Sequence, residues 1–266
     1  VGHLVRRGLA PLGEAEGQGW AFVELGAGRG GLTWALCHAA PLAKFFLIDR
    51  EKKRMNMDRQ LRGGWRGKAV SFERLRRVDI RHLNLSKVPG LTGLNVTAVS
   101  KHLCGGATDL SLRCLANSAG RDSTFRWHGV AIATCCHGLC DWDTYIGKEF
   151  WLEQGLSAEE FMALKKLTSW GTCGAGREAG QAADLPAEGA AVEHAAAPEA
   201  TEEVVEGPLA ALSAEERCAL GRRIKSLIDA GRAAWLRRQG FRVELVRFCD
   251  PTVSPENTLL LAWRDS

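Results

Sequence analysis

The chain has 266 residues, 45% of them hydrophobic, and a formal net charge of +4. That length holds one sizeable α/β domain, or one domain with an insert, and supplies enough apolar surface for a core of its own. It contains no apolar run of about 18 residues, and residues 1–10 lack the charged-then-apolar layout of a secretion signal, which sets aside membrane spans and export and leaves an intracellular protein of the cytoplasm or nucleus as the expectation. Nine cysteines, two of them adjacent at Cys135-Cys136, do not follow the pattern of a secreted disulfide framework, so reduced thiols are expected. The initial Val in place of Met suits a fragment or a processed form.

Strand and helix signals alternate as a parallel sheet covered on both faces requires. A first strand is predicted over 21–25, running into Gly26-Ala27-Gly28-Arg29-Gly30-Gly31 and a helix over 31–39. Glycines at 26, 28 and 30 let the backbone turn tightly and approach a ligand that a Cβ would exclude. The same run satisfies the dinucleotide template through Gly26, Gly28 and Gly31, so the hinge alone does not choose between a nicotinamide cofactor and S-adenosylmethionine. A second strand over 44–48 ends at Asp49, and a basic helix follows over 51–61. The third, over 72–78, ends at Asp79; the fourth, over 95–100, stops at Lys101-His102 before a helix over 108–116. A fifth strand over 129–134 runs into Cys135-Cys136-His137, and Ser157-Ala158-Glu159-Glu160 is a capping box that opens a short helix to about Leu167.

Composition changes after Trp170. Residues 174–208 are rich in Ala, Gly and Glu and lack the large apolar side chains that offset the entropy of ordering, so a disordered acidic insert is expected to divide one domain into 1–173 and 209–266. Ser213-Ala214-Glu215-Glu216 is a second capping box, starting a helix to about Gln239 with Gly240 as its stop. Strands over 241–248 and 258–263 close the chain, and the segment between them is too short for the crossover that parallel neighbours need. They should pair antiparallel. A mostly parallel seven-stranded sheet with a C-terminal antiparallel hairpin is the α/β layout of a Rossmann-like class I methyltransferase, whereas a nicotinamide-binding domain continues with parallel strands. S-adenosylmethionine is therefore the expected cofactor.

Charge is unevenly spread. Residues 174–208 hold eight acidic side chains against the single Arg177, so the remainder carries 34 basic and 23 acidic, a charge of +11. From Asp49 to Arg81 twelve Lys or Arg face five Asp or Glu, among them Lys52, Lys53, Arg54, Arg59, Arg62, Arg66, Lys68, Arg74, Arg76 and Arg77. A polyanionic partner accounts for such a run, and so does a solvated helix face.

The acidic strand ends fit S-adenosylmethionine. Asp49 is placed to accept hydrogen bonds from both ribose hydroxyls. Asp79 offers a carboxylate to the adenine amino group, with Ile80 against the ring face, and Glu24 meets the amino-acid moiety or else caps the hinge. Ligands of open α/β sheets sit beyond the carboxyl ends of the strands, so Lys101, His102 and His137 should face the transferred methyl, for substrate positioning and proton removal. Cys104, Cys135, Cys136 and His137 together hold zinc-ligand chemistry, but adjacent cysteines do not match the usual two-to-four residue gap, and no metal is expected there. Arg222, Lys225, Asp229 and Arg232 recur at three- and four-residue steps, a polar stripe for RNA phosphates, for the active-site mouth or for solvent.

The combination of Val-Glu-Leu-Gly-Ala-Gly-Arg-Gly at 23–30, Lys-His-Leu-Cys-Gly at 101–105, Ala-Thr-Asp-Leu at 107–110, Cys-Cys-His at 135–137 and Ser-Pro-Glu-Asn at 254–257 resembles the eukaryotic tRNA methyltransferases that modify the ribose 2′-hydroxyl at position 4 of the acceptor stem. The resemblance spans both sides of the insert. It implies tRNA as substrate, S-adenosylmethionine as methyl donor, and a role for the Lys225, Asp229 and Gly231-Arg232 pattern. Members of that family carry small Cys/His zinc-binding modules upstream; none is in this sequence, and zinc is not an expected ligand of this stretch. A catalytically silent methyltransferase-like fold, acting as an RNA-binding or assembly module, is the alternative.

A ribose 2′-hydroxyl is a weak acid, so alignment of the reacting atoms dominates and a nearby base helps as the proton leaves. Lys101 is the first candidate, on the condition that partial burial lowers its pKa. His102 and His137 are alternatives that need less tuning, because imidazole titrates near neutrality.

Overall fold

The computed structural model describes residues 1–11, 17–51, 56–64, 69–120, 123–173 and 208–264. A short helix α1 (Gly2–Arg6) precedes β1 (Trp20–Leu25), and α2 (Gly31–Cys37) leads to β2 (Lys44–Asp49). Then come α3 (Asn56–Gly63), β3 (Ser71–Arg76), β4 (Asn95–Lys101), α4 (Gly106–Ser118) and β5 (Arg126–Ala133). Three short helices, α5 (Lys148–Glu153), α6 (Ala158–Leu164) and α7 (Trp170–Cys173), precede the long α8 (Ala214–Arg238) and the strands β6 (Arg242–Arg247) and β7 (Thr258–Trp263).

The seven strands form one sheet in the order β3-β2-β1-β4-β5-β7-β6. The first five are parallel, and β7 lies antiparallel between β5 and β6, as the short closing connection requires. Strand order reverses between β1 and β4, which opens a crevice at their carboxyl ends, where ligands of such sheets bind.

Period-two alternation explains the two cores. Ala21, Val23 and Leu25 of β1 join Phe46, Ile48, Val96 and Ala98 against Leu112 of α4 and Leu236 of α8. Phe22 turns the other way, onto Phe45 and Leu47 with Leu4 of α1 and Leu36 of α2. Because both faces are covered, these strands read as continuous apolar runs. A third cluster, unread in the sequence, packs Tyr145, Trp151 and Phe161 against Ile224 and Ile228, fastening α5 and α6 to α8.

Several boundaries differ from expectation. β3 stops at Arg76 because Arg77 takes a left-handed φ of 58° and turns the chain out of the sheet, which puts Asp79 in the following turn. β5 is longer than predicted, starting at Arg126. α6 ends at Leu164 and tightens into a 3-10 turn through Ser169. Both capping boxes are present, with Ser157 paired to Glu160 and Ser213 to Glu216. The start of the predicted basic helix, over 52–55, and the insert, except for Pro208, lie outside the described residues.

Candidate active site

The site is built on the hinge after β1. Gly26, Gly28 and Gly30 all have positive φ. At Gly30 a Cβ would stand 2.9 Å from both the Arg74 guanidinium and Leu47, whereas a Cβ at Gly28 would meet nothing within 4 Å. One side of the hinge is therefore packed and the other open. The packed side is held by Arg74, which donates to the Gly28 carbonyl at 2.9 Å and pairs with Asp58 at 2.6 Å, both charged side chains being nearly buried.

Asp49, closing β2, leans onto this hinge. Its Oδ2 accepts from the Gly28 N–H at 2.7 Å and its Oδ1 from the Glu51 N–H at 2.8 Å. Each carboxylate oxygen keeps a second lone pair with which to accept a hydroxyl. Asp79 accepts from the Arg81 N–H at 2.9 Å and pairs with the Arg81 guanidinium at 2.7 Å; these hydrogen bonds hold its pKa well below the usual carboxylate range, so it is ionised at neutral pH.

Gly26, Asp49, Asp79, Ile80 and His102 line one cleft of about 510 Å³, with Leu103, Ala107 and Leu110 adding apolar wall. That size suits a small molecule, and two carboxylates set among aliphatic side chains suit one with hydroxyls and a flat ring. The cleft lies at the carboxyl ends of β1, β2 and β4, so four of the segments singled out in the sequence do converge.

Lys101 does not join them. It is exposed, without the partial burial that a base role presupposed, and lines a separate cavity of about 390 Å³ with Leu4, Leu36 and Ala133. His102, next in the chain, takes a left-handed φ of 64° and lines the first cleft instead. The two residues thus flank the end of β4.

His137 is buried at 1% exposure, and its Nε2 lies 2.9 Å from Asp229 Oδ2; it does not line the cleft. Asp229 also accepts from Thr134 at 2.7 Å and from Arg232 at 2.9 Å. Burial alone would raise its pKa, but His137, Arg232 and Thr134 outweigh that and bring it down to about 2. Arg232 is fully buried, spanning Asp229 and Asp109 and donating to the Gly105 carbonyl at 3.1 Å. The expected RNA-facing stripe is corrected accordingly: Arg232 cannot reach solvent, and Lys225 is nearly buried and paired with Glu256 at 2.6 Å. Arg222 remains exposed. Glu24 is likewise inside, its Oε2 accepting from the Thr33 N–H at 3.0 Å and from the Thr33 hydroxyl. Burial raises its pKa to about 7, and it acts as the hinge cap rather than as a lining of the cleft.

The family model described as methyltransferase TRM13 matches residues 9–263. The chain belongs to the TRM13 methyltransferase family. It is 34% identical over 289 residues to the "tRNA:m(4)X modification enzyme TRM13 homolog" of Homo sapiens, covering 91% of this chain and 59% of that one. Against the "tRNA:m(4)X modification enzyme TRM13" of Yarrowia lipolytica it is 34% identical over 278 residues, covering 98% and 57%. The chain thus spans under two thirds of the length of these relatives. Among solved structures, the mitomycin 7-O-methyltransferase MmcR aligns at a TM-score of 0.40 and 16% identity, over 93% of this chain and 49% of that one.

In this TRM13-family chain the sequence reading missed Asp109, whose motif was noted but whose partner lies 123 residues away in Arg232. The thiols at the site were seen but not their arrangement. Cys104, Cys135 and Cys136 bring their sulfurs within 4.8 Å of one another. Hydrogen bonding with Cys104, then burial, pushes the Cys135 thiol far up, and partial desolvation with hydrogen bonding to Cys104 raises the exposed Cys136 to about 11, so neither is an activated thiolate. Arg50 and Arg81 line the cleft and, with Arg59, Arg62, Arg76 and Arg77, are exposed; Lys52, Lys53, Arg54, Arg66 and Lys68 lie outside the described residues. Among the described residues no helix is long and apolar enough to cross a membrane.

Proposed function

We propose that this chain is the catalytic part of an S-adenosylmethionine-dependent tRNA methyltransferase with a Rossmann-like class I fold, acting on a ribose 2′-hydroxyl at position 4 of the acceptor stem. The observation that carries the reading is the single cleft shared by the glycine hinge, Asp49, Asp79 and Ile80 at the sheet's reversal point. The names of the TRM13 relatives support tRNA as the substrate class.

The residues fit an adenosine-bearing cofactor: Asp49 for the ribose hydroxyls, Asp79 for the adenine amino group, and Ile80 with Leu103 against the ring. When bound, S-adenosylmethionine supplies an electrophilic methyl on a positively charged sulfur, so the protein mainly aligns nucleophile and carbon. His102, on the cofactor side of β4, accepts the 2′-hydroxyl proton as an imidazole suited to neutral pH. Lys101, on the other side, contributes a cation that orients the RNA backbone. The exposed arginines from Arg50 to Arg81 supply phosphate contacts; duplex RNA is recognised by shape and backbone, and such contacts weaken with salt.

The test is to incubate this chain, and a full-length TRM13-family protein containing it, with methyl-labelled cofactor and unmodified tRNA, then map the labelled riboses. Label at position 4 that falls by about 100-fold or more in His102→Asn is expected, in line with loss of a general base. Cofactor binding without label from either protein points to the silent, RNA-binding alternative instead.

A further inference from the structure

The loop after β4 and the loop after β5 are docked closely. Gly105 has a φ of 54°, and a Cβ there would lie 2.5 Å from the Leu139 backbone; its N–H donates to the Cys135 carbonyl at 3.3 Å. This approach sets Cys104 Sγ 3.8 Å from Cys135 Sγ.

Adjacent residues of an extended chain point to opposite sides. Cys135 and Cys136 do not, because Cys136 adopts φ 49° and ψ 45°, a left-handed conformation that disfavours a residue bearing a Cβ. That backbone directs both sulfurs toward the sulfur of Cys104, and strained backbone of this kind gathers at functional positions. Structural thiols are usually surrounded by carbon. Here three sulfurs meet one another, and one of them, Cys136, is exposed.

We infer that Cys104, Cys135 and Cys136 form a binding site for a thiophilic divalent cation of the zinc class, bridging the β4 and β5 loops beside the cleft. The usual gap between cysteines of one loop is what lets both sulfurs face one point, and here the left-handed Cys136 backbone does that for the adjacent pair while Cys104 comes from the other loop. Tetrahedral zinc with Zn–S bonds of about 2.3 Å separates its sulfurs by about 3.8 Å. The Cys104–Cys135 pair already has that spacing, and small rotations of Cys136 close the rest. A three-sulfur set selects zinc over magnesium or calcium, which prefer oxygen. Binding exchanges S–H protons for the metal, releasing up to three protons to water with no change of oxidation state. The exposed Cys136 side leaves the fourth position for water. The site does not rest on the methyl-transfer reading, since metal binding is measurable without cofactor or RNA.

The test uses the 266-residue chain, stripped of metal by a chelator and kept reduced with a phosphine. Titration with Co²⁺ as spectroscopic probe, followed by displacement with Zn²⁺, should give one equivalent per chain with thiolate charge-transfer and four-coordinate visible bands. Cys136→Ser, at an exposed position, should weaken binding at least 10-fold, and Cys104→Ser likewise, while circular dichroism shows both variants folded; Cys37→Ala on α2 should bind as the parent does. A parent chain that gives no charge-transfer band overturns the site. So does equal binding by the folded Cys104→Ser and Cys136→Ser variants, which would place the metal on other thiols.

Discussion

Two regions of this molecule use the same side chains for opposite ends. Beneath α8, Asp109, Arg232, Asp229 and His137 form a closed network at or below 1% exposure. Along the open cleft beyond the strand ends sit Asp49, Asp79 and His102, with Asp49 held by N–H groups of the glycine hinge and of its own turn and Asp79 by the N–H and guanidinium of Arg81. In the first, Arg232 reaches Asp109 and His137 reaches Asp229 across long sequence distances, with Arg232 also paired locally to Asp229, and the arrangement fixes where the β5 loop and α4 meet α8. In the second, each Asp49 oxygen accepts one backbone N–H and keeps a lone pair toward a space that a ligand can fill, while Asp79 is held by Arg81 at the rim. Residue type alone does not separate machinery from scaffold; burial and the origin of the partners do.

Removing Arg232 should break the closed region most severely. Arg232→Met leaves two buried carboxylates without their cation and is expected to lose about 3–5 kcal/mol of stability, read as a large drop in Tm; an unchanged Tm would mean that the network is not a structural unit. Asp229→Asn, which keeps the shape and an acceptor for Thr134 and His137, should cost less than Arg232→Met.

Glu24 sharpens the contrast because it is buried against α2 beside the glycine hinge without lining the cleft. Its carboxyl titrates near 4.5 when unfolded and near 7 when folded. The unfolded chain loses its proton first, so this group makes stability fall as pH rises from about 4.5 to about 7, and its penalty is complete above that, at about 3 kcal/mol. Glu24→Gln keeps an acceptor for Thr33 and cannot ionise. It should raise Tm above pH 7 and flatten the pH dependence; an identical pH profile in both proteins would remove the buried-carboxyl account.

The smallest effect is expected at the open rim. Arg81→Ala frees Asp79 but removes only a solvent-exposed ion pair, so Tm should stay unchanged and affinity for S-adenosylhomocysteine should move no more than a few-fold. A collapse of Tm would show that the rim is structural after all.

The sheet was legible because its signals are local: alternation of strand and helix runs, capping boxes at Ser157 and Ser213, and a closing connection too short for a crossover. That the glycine hinge, Asp49 and Asp79 meet at one cleft was legible for the same reason, since the strands fix where the hinge and Asp49 lie. The assignment of Arg232 and His137 failed because their partners, Asp109 and Asp229, lie about 90 or more residues away in sequence. A three- and four-residue polar recurrence reads the same whether it meets water or a buried aspartate. Lys101 ranked ahead of His102 because the sequence did not show that they line different cavities, nor that the chain turns left-handed at His102. Arg77, which ends β3 early, hides its turn in the same way.

The central claim is that the cleft between Asp49 and Asp79 takes the adenosine half of the methyl donor. Calorimetric titration of the chain with S-adenosylhomocysteine tests it most directly, comparing the parent with Asp49→Ala. Saturable one-to-one binding that weakens by about 10- to 100-fold in the variant, as loss of hydrogen bonds to a charged acceptor predicts, supports the account. Absence of binding to the folded parent, or equal affinity in the folded variant, contradicts it.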